Sequence, residues 1–285
     1  MAQSIVLITG CSSGIGLATA VRLAKDPEQR YKVYATMRNL GKKERLETAA
    51  GDALDKTLFV RPLDVTKDDT IKALVGDIVR EDGKIDILVN NAGSYGLDGI
   101  THKSLEWCQE MMDTNFWGAV RLTRAVLPTM QEHRSGRIIN ISSNAGINAM
   151  PFFSIYSASK FALEGYTESI APVLRDAFNI RVILVQPSGV ATDLIANFYK
   201  VSFDEQAKDF GEVLKPMYVS MMNGMAAKSA ETGPMQKGED LAQLIQEVAE
   251  TENPHLRYQA NDAVRQLAGW KWTDPTGDSY LQSLK

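Results

Sequence analysis

The feature that most constrains the fold of this 285-residue chain is an alternation of short apolar runs with longer helical patterns. The runs lie at residues 5–9, 31–36, 58–63, 85–90, 137–142 and 181–186, with a short seventh expected at 256–259. Several are continuously apolar rather than alternating, which is typical of parallel strands covered by helices on both faces. Because no repeat, low-complexity tract or linker interrupts the pattern, the sequence predicts a single α/β domain with a doubly wound parallel sheet of about seven strands.

A glycine-rich turn separates the first predicted strand from the first predicted helix, which runs to about residue 24. Glycine permits positive φ and lets the backbone approach a phosphate, while a helix N-terminus offers free N–H groups. Such a turn can also be a plain tight connection, but a strand before it and a helix after it favour nucleotide binding. The expected cofactor contacts in this turn are Gly10, Ser12, Ser13, Gly14, Ile15 and Gly16.

The end of the second predicted strand carries Met37-Arg38. A dinucleotide fold that prefers NAD usually has an acidic residue there for the ribose 2′-hydroxyl. An arginine cannot accept a hydrogen bond from a hydroxyl, but it can neutralise and bind a 2′-phosphate, and Ser12 could add a hydroxyl donor. A solvated loop charge is the alternative for Arg38, and the fold context favours NADP(H).

Polar and small residues follow the fourth and fifth predicted strands, in Asn90-Asn-Ala-Gly93 and at Ser142-Ser143. Ligands of open parallel sheets bind at the carboxyl ends of the strands. Small residues there let a ring or a ribose lie against the backbone, and the Ser143 hydroxyl could hold a substrate carbonyl oxygen. A serine in this position otherwise caps a helix or a turn.

Tyr156 and Lys160 are four residues apart at the start of a helical pattern, so they share one helix face. A phenol titrates near ~10 and is a poor acid or base at neutral pH. We expect the neighbouring ammonium to stabilise the phenolate and lower its pKa, giving a group that exchanges a proton with an alcohol or ketone. Exposed pairs of this spacing commonly just solvate a helix face, so the interpretation depends on the other residues.

The stretch from Pro187 to about Pro234 mixes aromatic residues and methionines with polar residues and shows no strand pattern. A long segment after the last central strand suggests a lid over an apolar pocket, with a deformable wall that suits a bulky lipophilic ligand. An amphipathic helix packed on the core is the plainer alternative.

Bulk properties exclude several other classes of protein. The net charge of −4 and the pI of about 5.5 argue against a nucleic-acid surface. Two cysteines imply no disulfide framework, and three scattered histidines suggest no metal site. No apolar run approaches the ~18 residues of a membrane span. We therefore expect a cytoplasmic protein, with peripheral membrane contact left open.

Together these residues resemble the short-chain dehydrogenase/reductase family. The matching motifs, in the family's order over about residues 4–195, are Thr9-Gly10-x-x-x-Gly14-x-Gly16, Asp64-Val65, Asn90-Asn-Ala-Gly93, Asn115, Ser143 and Tyr156-x-x-x-Lys160. Residues 33–38, residues 158–165 and the tail 274–277 are most similar to the 17β-hydroxysteroid dehydrogenase type 1 and photoreceptor-type retinol dehydrogenase branch. The resemblance implies a single Rossmann-like domain.

The resemblance also implies a role for each matching residue. Tyr156 would be the general acid in carbonyl reduction or the base in alcohol oxidation, and Lys160 would lower its pKa and bind the nicotinamide ribose. Ser143 would polarise the carbonyl, and Asn115, in the long helix before the fifth strand, would hold a water chain. Tyr156 and Lys160 are also among the cofactor contacts implied, and the remaining ones are Asp64, Val65, Asn91, Ala92, Gly93, Val190 and Thr192.

One departure concerns the turn after the sixth strand, where the family usually has Pro-Gly and this chain has Pro187-Ser188-Gly189. Ser188 could shift the nicotinamide or add a hydroxyl near it. The leading hypothesis is an NADP(H)-dependent oxidoreductase that interconverts a lipophilic carbonyl compound and its alcohol, with retinal and retinol as the leading candidates. The alternatives are a 17β-hydroxysteroid dehydrogenase and a non-catalytic nucleotide-bound regulator. The resemblance further implies a homodimer formed through the long helices after Thr101 and Tyr156.

Overall fold

A computed structural model describes residues 3–231, 235–274, 276 and 278–283 of the chain. The strands are β1 Ser4–Ile8, β2 Tyr31–Met37, β3 Leu58–Pro62, β4 Ile87–Asn90, β5 Gly136–Ile141, β6 Ile180–Gln186, β7 Val190–Ala191, β8 Gln236–Lys237 and β9 Arg257–Gln259. The α-helices are α1 Gly14–Ala24, α2 Glu44–Ala50, α3 Asp68–Asp82, α4 Leu105–Met112, α5 Gly118–Glu132, α6 Ser154–Phe178, α7 Asp193–Tyr199, α8 Phe203–Gln206, α9 Gly211–Glu231, α10 Gly238–Glu250, α11 Asp262–Thr273 and α12 Asp278–Ser283.

The main sheet has seven parallel strands in the order β3-β2-β1-β4-β5-β6-β9. The predicted α/β fold, with its doubly wound sheet of about seven strands, is therefore confirmed. The chain moves outward from β1 to β3 and then returns to β4, which pairs with the other side of β1. This reversal opens a crevice at the carboxyl ends of β1 and β4, where open α/β sheets bind their ligands.

Helices cover both faces of the sheet, which explains the continuously apolar strands. Along β1, Val6 and Ile8 belong to the core on the side of α1 and α10, while Ile5 and Leu7 belong to the core on the side of α3 and α5. Successive side chains of a strand point to opposite faces, so both sets must be apolar.

Two local features depart from the predicted pattern. The 187–234 stretch shows no strand pattern in sequence, yet Val190–Ala191 pairs in parallel with Gln236–Lys237 as β7 and β8. A two-residue strand is too short to produce a periodic pattern. The long helix predicted before β5 is interrupted by a π-helical turn at Asp113–Trp117. In the tail motif 274–277, residues 275 and 277 lie outside the described residues.

Among the helices of the described residues, none is long and apolar enough to cross a membrane.

Candidate active site

The glycine turn between β1 and α1 is clamped to the end of β4. Gly10 has φ +73°, and a Cβ at that position would lie 2.9 Å from the Ala92 Cα. The Asn91 amide donates to the Thr9 carbonyl at 2.8 Å and to the Gly10 carbonyl at 3.1 Å. The Thr9 hydroxyl accepts from the backbone N–H groups of Asn91 and Ala92, each at 2.9 Å. These contacts hold the turn at the topological switch point.

The N-terminus of α1 has the properties of an anion site. Ser13 occupies the N-cap position and makes no side-chain capping bond, so it leaves the first N–H groups of α1 to another partner. Gly14 has φ +59°, and a Cβ there would lie 2.9 Å from the Thr192 Cγ2. Ser12 and Ile15 are half-buried in the same turn. The predicted contact Thr192 is thus brought beside the glycine turn, and the predicted contact Val190 is buried in the same core as Cys11 of that turn.

Arg38 and Asp64 lie beyond the ends of β2 and β3 at the far end of the crevice, near enough for the charge of Arg38 to act on Asp64. Arg38 is exposed. Burial opposes ionisation of Asp64, but hydrogen bonds from Thr66 and the charge of Arg38 outweigh it, and the pKa of this carboxyl is lowered. Val65 is buried and packs tightly against Gly118. The structure thus places a cation and a carboxylate together where the predicted adenine end of a dinucleotide would lie.

Asn115 lies in the π-helical turn and is fully hydrogen-bonded. Its Oδ1 accepts from the Ser94 N–H at 2.7 Å, and its Nδ2 donates to the Ser94 carbonyl at 2.9 Å and to the Ser159 Oγ at 3.0 Å. Ser159 in turn donates to the Tyr156 carbonyl at 2.6 Å. A Cβ at Gly93 would lie 3.4 Å from the Asn115 Oδ1 and 3.9 Å from the Lys160 Nζ. π-turns frequently occur at functional sites, and this one brings Asn115 to the first turn of α6.

Ser143, Tyr156 and Lys160 come together at the end of β5. Ser143 follows the strand by two residues, and its hydroxyl donates to the Asn144 Oδ1 at 3.0 Å and accepts from the Ala145 N–H at 3.1 Å. Its hydroxyl also lowers the pKa of the neighbouring Tyr156 phenol. The Lys160 Nζ lies 5.9 Å from the centroid of the Tyr156 ring and donates to the Ile141 carbonyl at 2.9 Å. The four predicted residues, including Asn115, therefore share one site, although they are spread over 46 positions of the sequence (115 to 160).

Burial dominates the protonation of this pair. Burial raises the pKa of the Tyr156 phenol, and the neighbouring Ser143 hydroxyl offsets this effect only in part. Burial lowers the pKa of Lys160 to about 8, opposed by the charge of Glu164. The expected net lowering of the Tyr156 pKa is therefore not found, because desolvation of the phenol is the larger effect and the Lys160 ammonium donates to the Ile141 carbonyl.

Aromatic side chains enclose the phenol on its other side. The Tyr95 ring lies edge-on to Tyr156 with centroids 4.9 Å apart, stacks on Phe153 at 5.0 Å and meets Phe198 of α7 at 5.2 Å. The same apolar cluster includes Phe203, Phe210, Leu214, Tyr218, Met221 and Met222 from α8, α9 and the segment between them. Part of the 187–231 segment thus packs directly over the candidate catalytic tyrosine, while residues 232–234 lie outside the described residues.

Sequence reasoning missed several residues of this site. Tyr95 lies two positions after the Asn-Asn-Ala-Gly run, and this closeness to a strand end in the crevice was the signal that could have placed it in the site. Ser94 and Ser159 carried no signal because serines are common in turns and helices. Within the described residues, no group of three or more His, Cys, Asp or Glu side chains could hold a metal ion.

A phenol, an ammonium and a serine hydroxyl beside a dinucleotide-type phosphate turn define a class of protein. Proton transfer by the phenol, coupled to hydride exchange with a nicotinamide, is the chemistry of an oxidoreductase that acts on alcohols and carbonyls. The sequence profile of the short chain dehydrogenases matches residues 4–201. The chain belongs to the short-chain dehydrogenase family, whose fold binds a nicotinamide cofactor.

Individual proteins extend the similarity over nearly the whole chain. Retinol dehydrogenase 8 of Homo sapiens is 42% identical over 99% of this chain and 89% of its own length. The 17-beta-hydroxysteroid dehydrogenase type 1 of Homo sapiens is 34% identical over 100% of this chain and 85% of its own length. A solved short-chain dehydrogenase from Streptomyces avermitilis superposes with a TM-score of 0.77 at 26% identity, covering 99% of this chain and 96% of that one.

Proposed function

We propose that the protein interconverts a lipophilic carbonyl compound and its alcohol with NADP(H), and that retinal and retinol are the preferred pair. The observation that carries this proposal is the Tyr156 phenol. It is flanked by Ser143 and Lys160 on one side and enclosed by an aromatic wall on the other. A polar proton donor inside an apolar enclosure suits a long hydrocarbon substrate with a single reacting oxygen.

The residues of this chain fit a nicotinamide dinucleotide. The uncapped start of α1 and the positive-φ glycines at 10 and 14 form a phosphate cradle, and Thr192 borders it. The remaining cofactor contacts would be Asp64 and Val65 at the adenine end and Asn91, Ala92 and Gly93 along β4. When bound, the nicotinamide supplies or accepts the hydride.

In carbonyl reduction, Tyr156 gives its proton to the developing alkoxide while the Ser143 hydroxyl holds the same oxygen. Because burial raises the pKa of the phenol, Tyr156 is protonated at neutral pH and suited to act as the acid. The Lys160 ammonium stabilises the phenolate that remains, and Asn115 keeps the first turn of α6 in place through Ser159. In alcohol oxidation the proton moves in the opposite direction.

Arg38 supports NADP(H) rather than NAD(H). It is exposed beyond β2 and makes no ion pair within 4.0 Å among the described residues, so its guanidinium can bind a 2′-phosphate. β2 and the two residues after it carry no acidic side chain that could accept a hydrogen bond from a 2′-hydroxyl.

The 187–231 segment acts, in this proposal, as the substrate lid. Phe198 of this segment contacts Tyr95, which in turn lies against Tyr156, so a bulky substrate can reach the phenol only if this cluster moves. Similarity to the human retinol dehydrogenase favours retinal, and similarity to the steroid dehydrogenase supports a 17β-hydroxysteroid as the second candidate. A non-catalytic nucleotide-binding protein fits less well, because Ser143, Tyr156 and Lys160 are together.

The same proposal takes the protein to be a cytoplasmic homodimer. Large apolar side chains are exposed on α4, on α6 and in the π-turn, at Leu105, Phe161, Val173 and Trp117. A second subunit would cover these helices, which are those predicted to form the interface.

Substrate choice is tested by comparing kcat/KM for all-trans-retinal and estrone, each with NADPH and with NADH, by following cofactor absorbance. The proposal predicts the highest value for retinal with NADPH. A higher value for estrone would favour the steroid alternative. No turnover of either substrate above a Tyr156→Phe control would refute the catalytic proposal.

A further inference from the structure

Glu164 is a buried carboxylate that lies one helical turn after Lys160 on α6. Only 6% of its surface is exposed, although glutamate is rarely buried unless it is paired. Residues four positions apart share one helix face, so Glu164 and Lys160 point toward the same side of α6. Neither the predicted proton transfer nor the predicted cofactor contacts use this residue.

Hydrogen-bond donors surround the carboxylate. Gln186 Nε2 donates to its Oε1 at 2.9 Å and Arg257 Nε donates to its Oε2 at 3.3 Å. The Ser142 hydroxyl borders the same pocket without a hydrogen-bond partner among the described residues. Burial raises the pKa of Glu164, and the donors around it, including the Arg257 cation, offset this effect only in part.

Glu164 lies against the two strand ends that carry the site. Ser142 directly precedes Ser143 at the end of β5, and Gln186 directly precedes the turn that begins at Pro187. A Cβ at Gly146 would lie 3.1 Å from the Glu164 Cγ and 3.2 Å from its Oε1, so the glutamate occupies the space that this glycine leaves. The carboxylate therefore lies between the β5 loop and the β6 turn.

Electrostatics connect the same carboxylate to Lys160. The ammonium faces the Tyr156 ring and the Ile141 carbonyl, and the charge that opposes its desolvation is that of Glu164. Burial has already lowered the Lys160 pKa to about 8, close to neutral pH. Loss of the Glu164 charge would lower the Lys160 pKa further, so a larger fraction of Lys160 would be uncharged at neutral pH.

We propose that Glu164 is a positioning residue that keeps the Lys160 ammonium charged and joins the loop at Gly146, after β5, to the Gln186 end of β6. This inference rests on the proposed function. It does not touch the reacting atoms. It acts through Lys160 on the stability of the Tyr156 phenolate.

The test replaces Glu164 by Gln, which keeps the shape and removes the charge, and titrates lysine ¹³Cε resonances by NMR in the protein without substrate. Lys160 is assigned with a Lys160→Arg variant. We expect the Lys160 pKa to fall by about one unit. The acid limb of kcat/KM for alcohol oxidation should move to higher pH, because a neutral lysine no longer stabilises the phenolate.

The chain offers a matched control in Glu168, which pairs with the other side of Arg257 and is half-exposed. Glu168→Gln removes the same charge from the same arginine but lies farther from Lys160 along α6. We expect the Lys160 pKa to move by less than about 0.3 units, as for exposed ion pairs. Glu164→Asp retains the charge, so the Lys160 pKa in this variant should lie close to its wild-type value.

An unchanged Lys160 pKa in Glu164→Gln, or an equal shift in Glu168→Gln, would overturn the proposal. If Glu164→Gln does not fold, the double variant Glu164→Gln/Arg257→Gln replaces the buried pair without leaving an unpaired charge, and the same decrease is expected. Since the NMR titration needs no turnover, its result is independent of whether retinal is a substrate.

Discussion

Gly16 provides a direct test of the packing that forms the cofactor turn. A Cβ at this position would lie 2.4 Å from the Asn91 Nδ2 and 2.5 Å from the Gly10 carbonyl oxygen. The carbonyl cannot rotate away, and the Asn91 amide can move only by breaking its two bonds to the backbone, at 2.8 and 3.1 Å. Each lost bond costs about 1 kcal/mol, and overpacking adds about 1–3 kcal/mol.

We expect Gly16→Ala to reduce the free energy of unfolding by about 2–4 kcal/mol, after the usual helix preference for alanine is included. For a domain of this size the loss lowers Tm by roughly 3–7 °C. Displacement of Asn91 and Gly10 should also weaken cofactor binding. Thermal unfolding measures the first effect, and titration of intrinsic fluorescence with NADPH measures the second.

Gly76 is the matched control for this substitution. It lies in α3, and a Cβ there would meet nothing within 4 Å. Gly76→Ala should stabilise the protein by about 0.5–1 kcal/mol and leave cofactor affinity unchanged. If Gly16→Ala matched Gly76→Ala in both Tm and cofactor affinity, the tight contact between the turn and Asn91 would be refuted.

Three further predictions concern the cofactor, the lid and pH. Arg38→Asp should raise the KM for NADPH about tenfold, because the charge-assisted bond between the guanidinium and the 2′-phosphate is lost. The new carboxylate can accept from the ribose 2′-hydroxyl, so the use of NADH should improve. Equal KM values for NADPH in both proteins would exclude a 2′-phosphate contact at Arg38. Phe198→Ala removes ring contacts worth about 0.5–1.5 kcal/mol each. The kcat/KM for retinal should therefore fall roughly tenfold, while the KM for NADPH is unchanged. An effect on the KM for NADPH alone would contradict the role of Phe198 in a substrate lid. The folded Lys160 pKa of about 8 lies below its ordinary value of 10.5, so the folded state binds fewer protons over this interval. The contribution of this group to the free energy of unfolding therefore rises with pH, by about 2 kcal/mol between roughly pH 8 and pH 10. Chemical denaturation as a function of pH should show this increment in the wild type and not in Lys160→Met. An identical pH dependence in both proteins would contradict the burial of Lys160.

The main sheet could be predicted because its strands are buried on both faces. Val6 and Ile8 pack on one side and Ile5 and Leu7 on the other, so β1 forms a continuous apolar run that local patterning identifies. The β7–β8 pair could not be predicted, because its two-residue strands are held by pairing across more than forty positions of the sequence. Such pairing leaves no local periodicity.

The candidate site shows the same division between local and long-range information. The spacing of Tyr156 and Lys160 on one helix predicts that they share a face. The protonation of Tyr156 could not be predicted, since it depends on enclosure by Tyr95 and by the cluster to which Phe198 belongs. The network of Glu164 could not be predicted either, because its partners Gln186 and Arg257 come from β6 and β9.

The central claim is that the Tyr156 phenol transfers the proton while Ser143 and Lys160 support it. The most direct measurement compares kcat of wild type and Tyr156→Phe for reduction of all-trans-retinal, together with the Kd for NADPH of both proteins. Loss of a positioned acid should lower kcat by roughly 10²–10⁴-fold, with the Kd unchanged because the phenylalanine retains the ring packing. A Tyr156→Phe protein that retained wild-type kcat would contradict the claim.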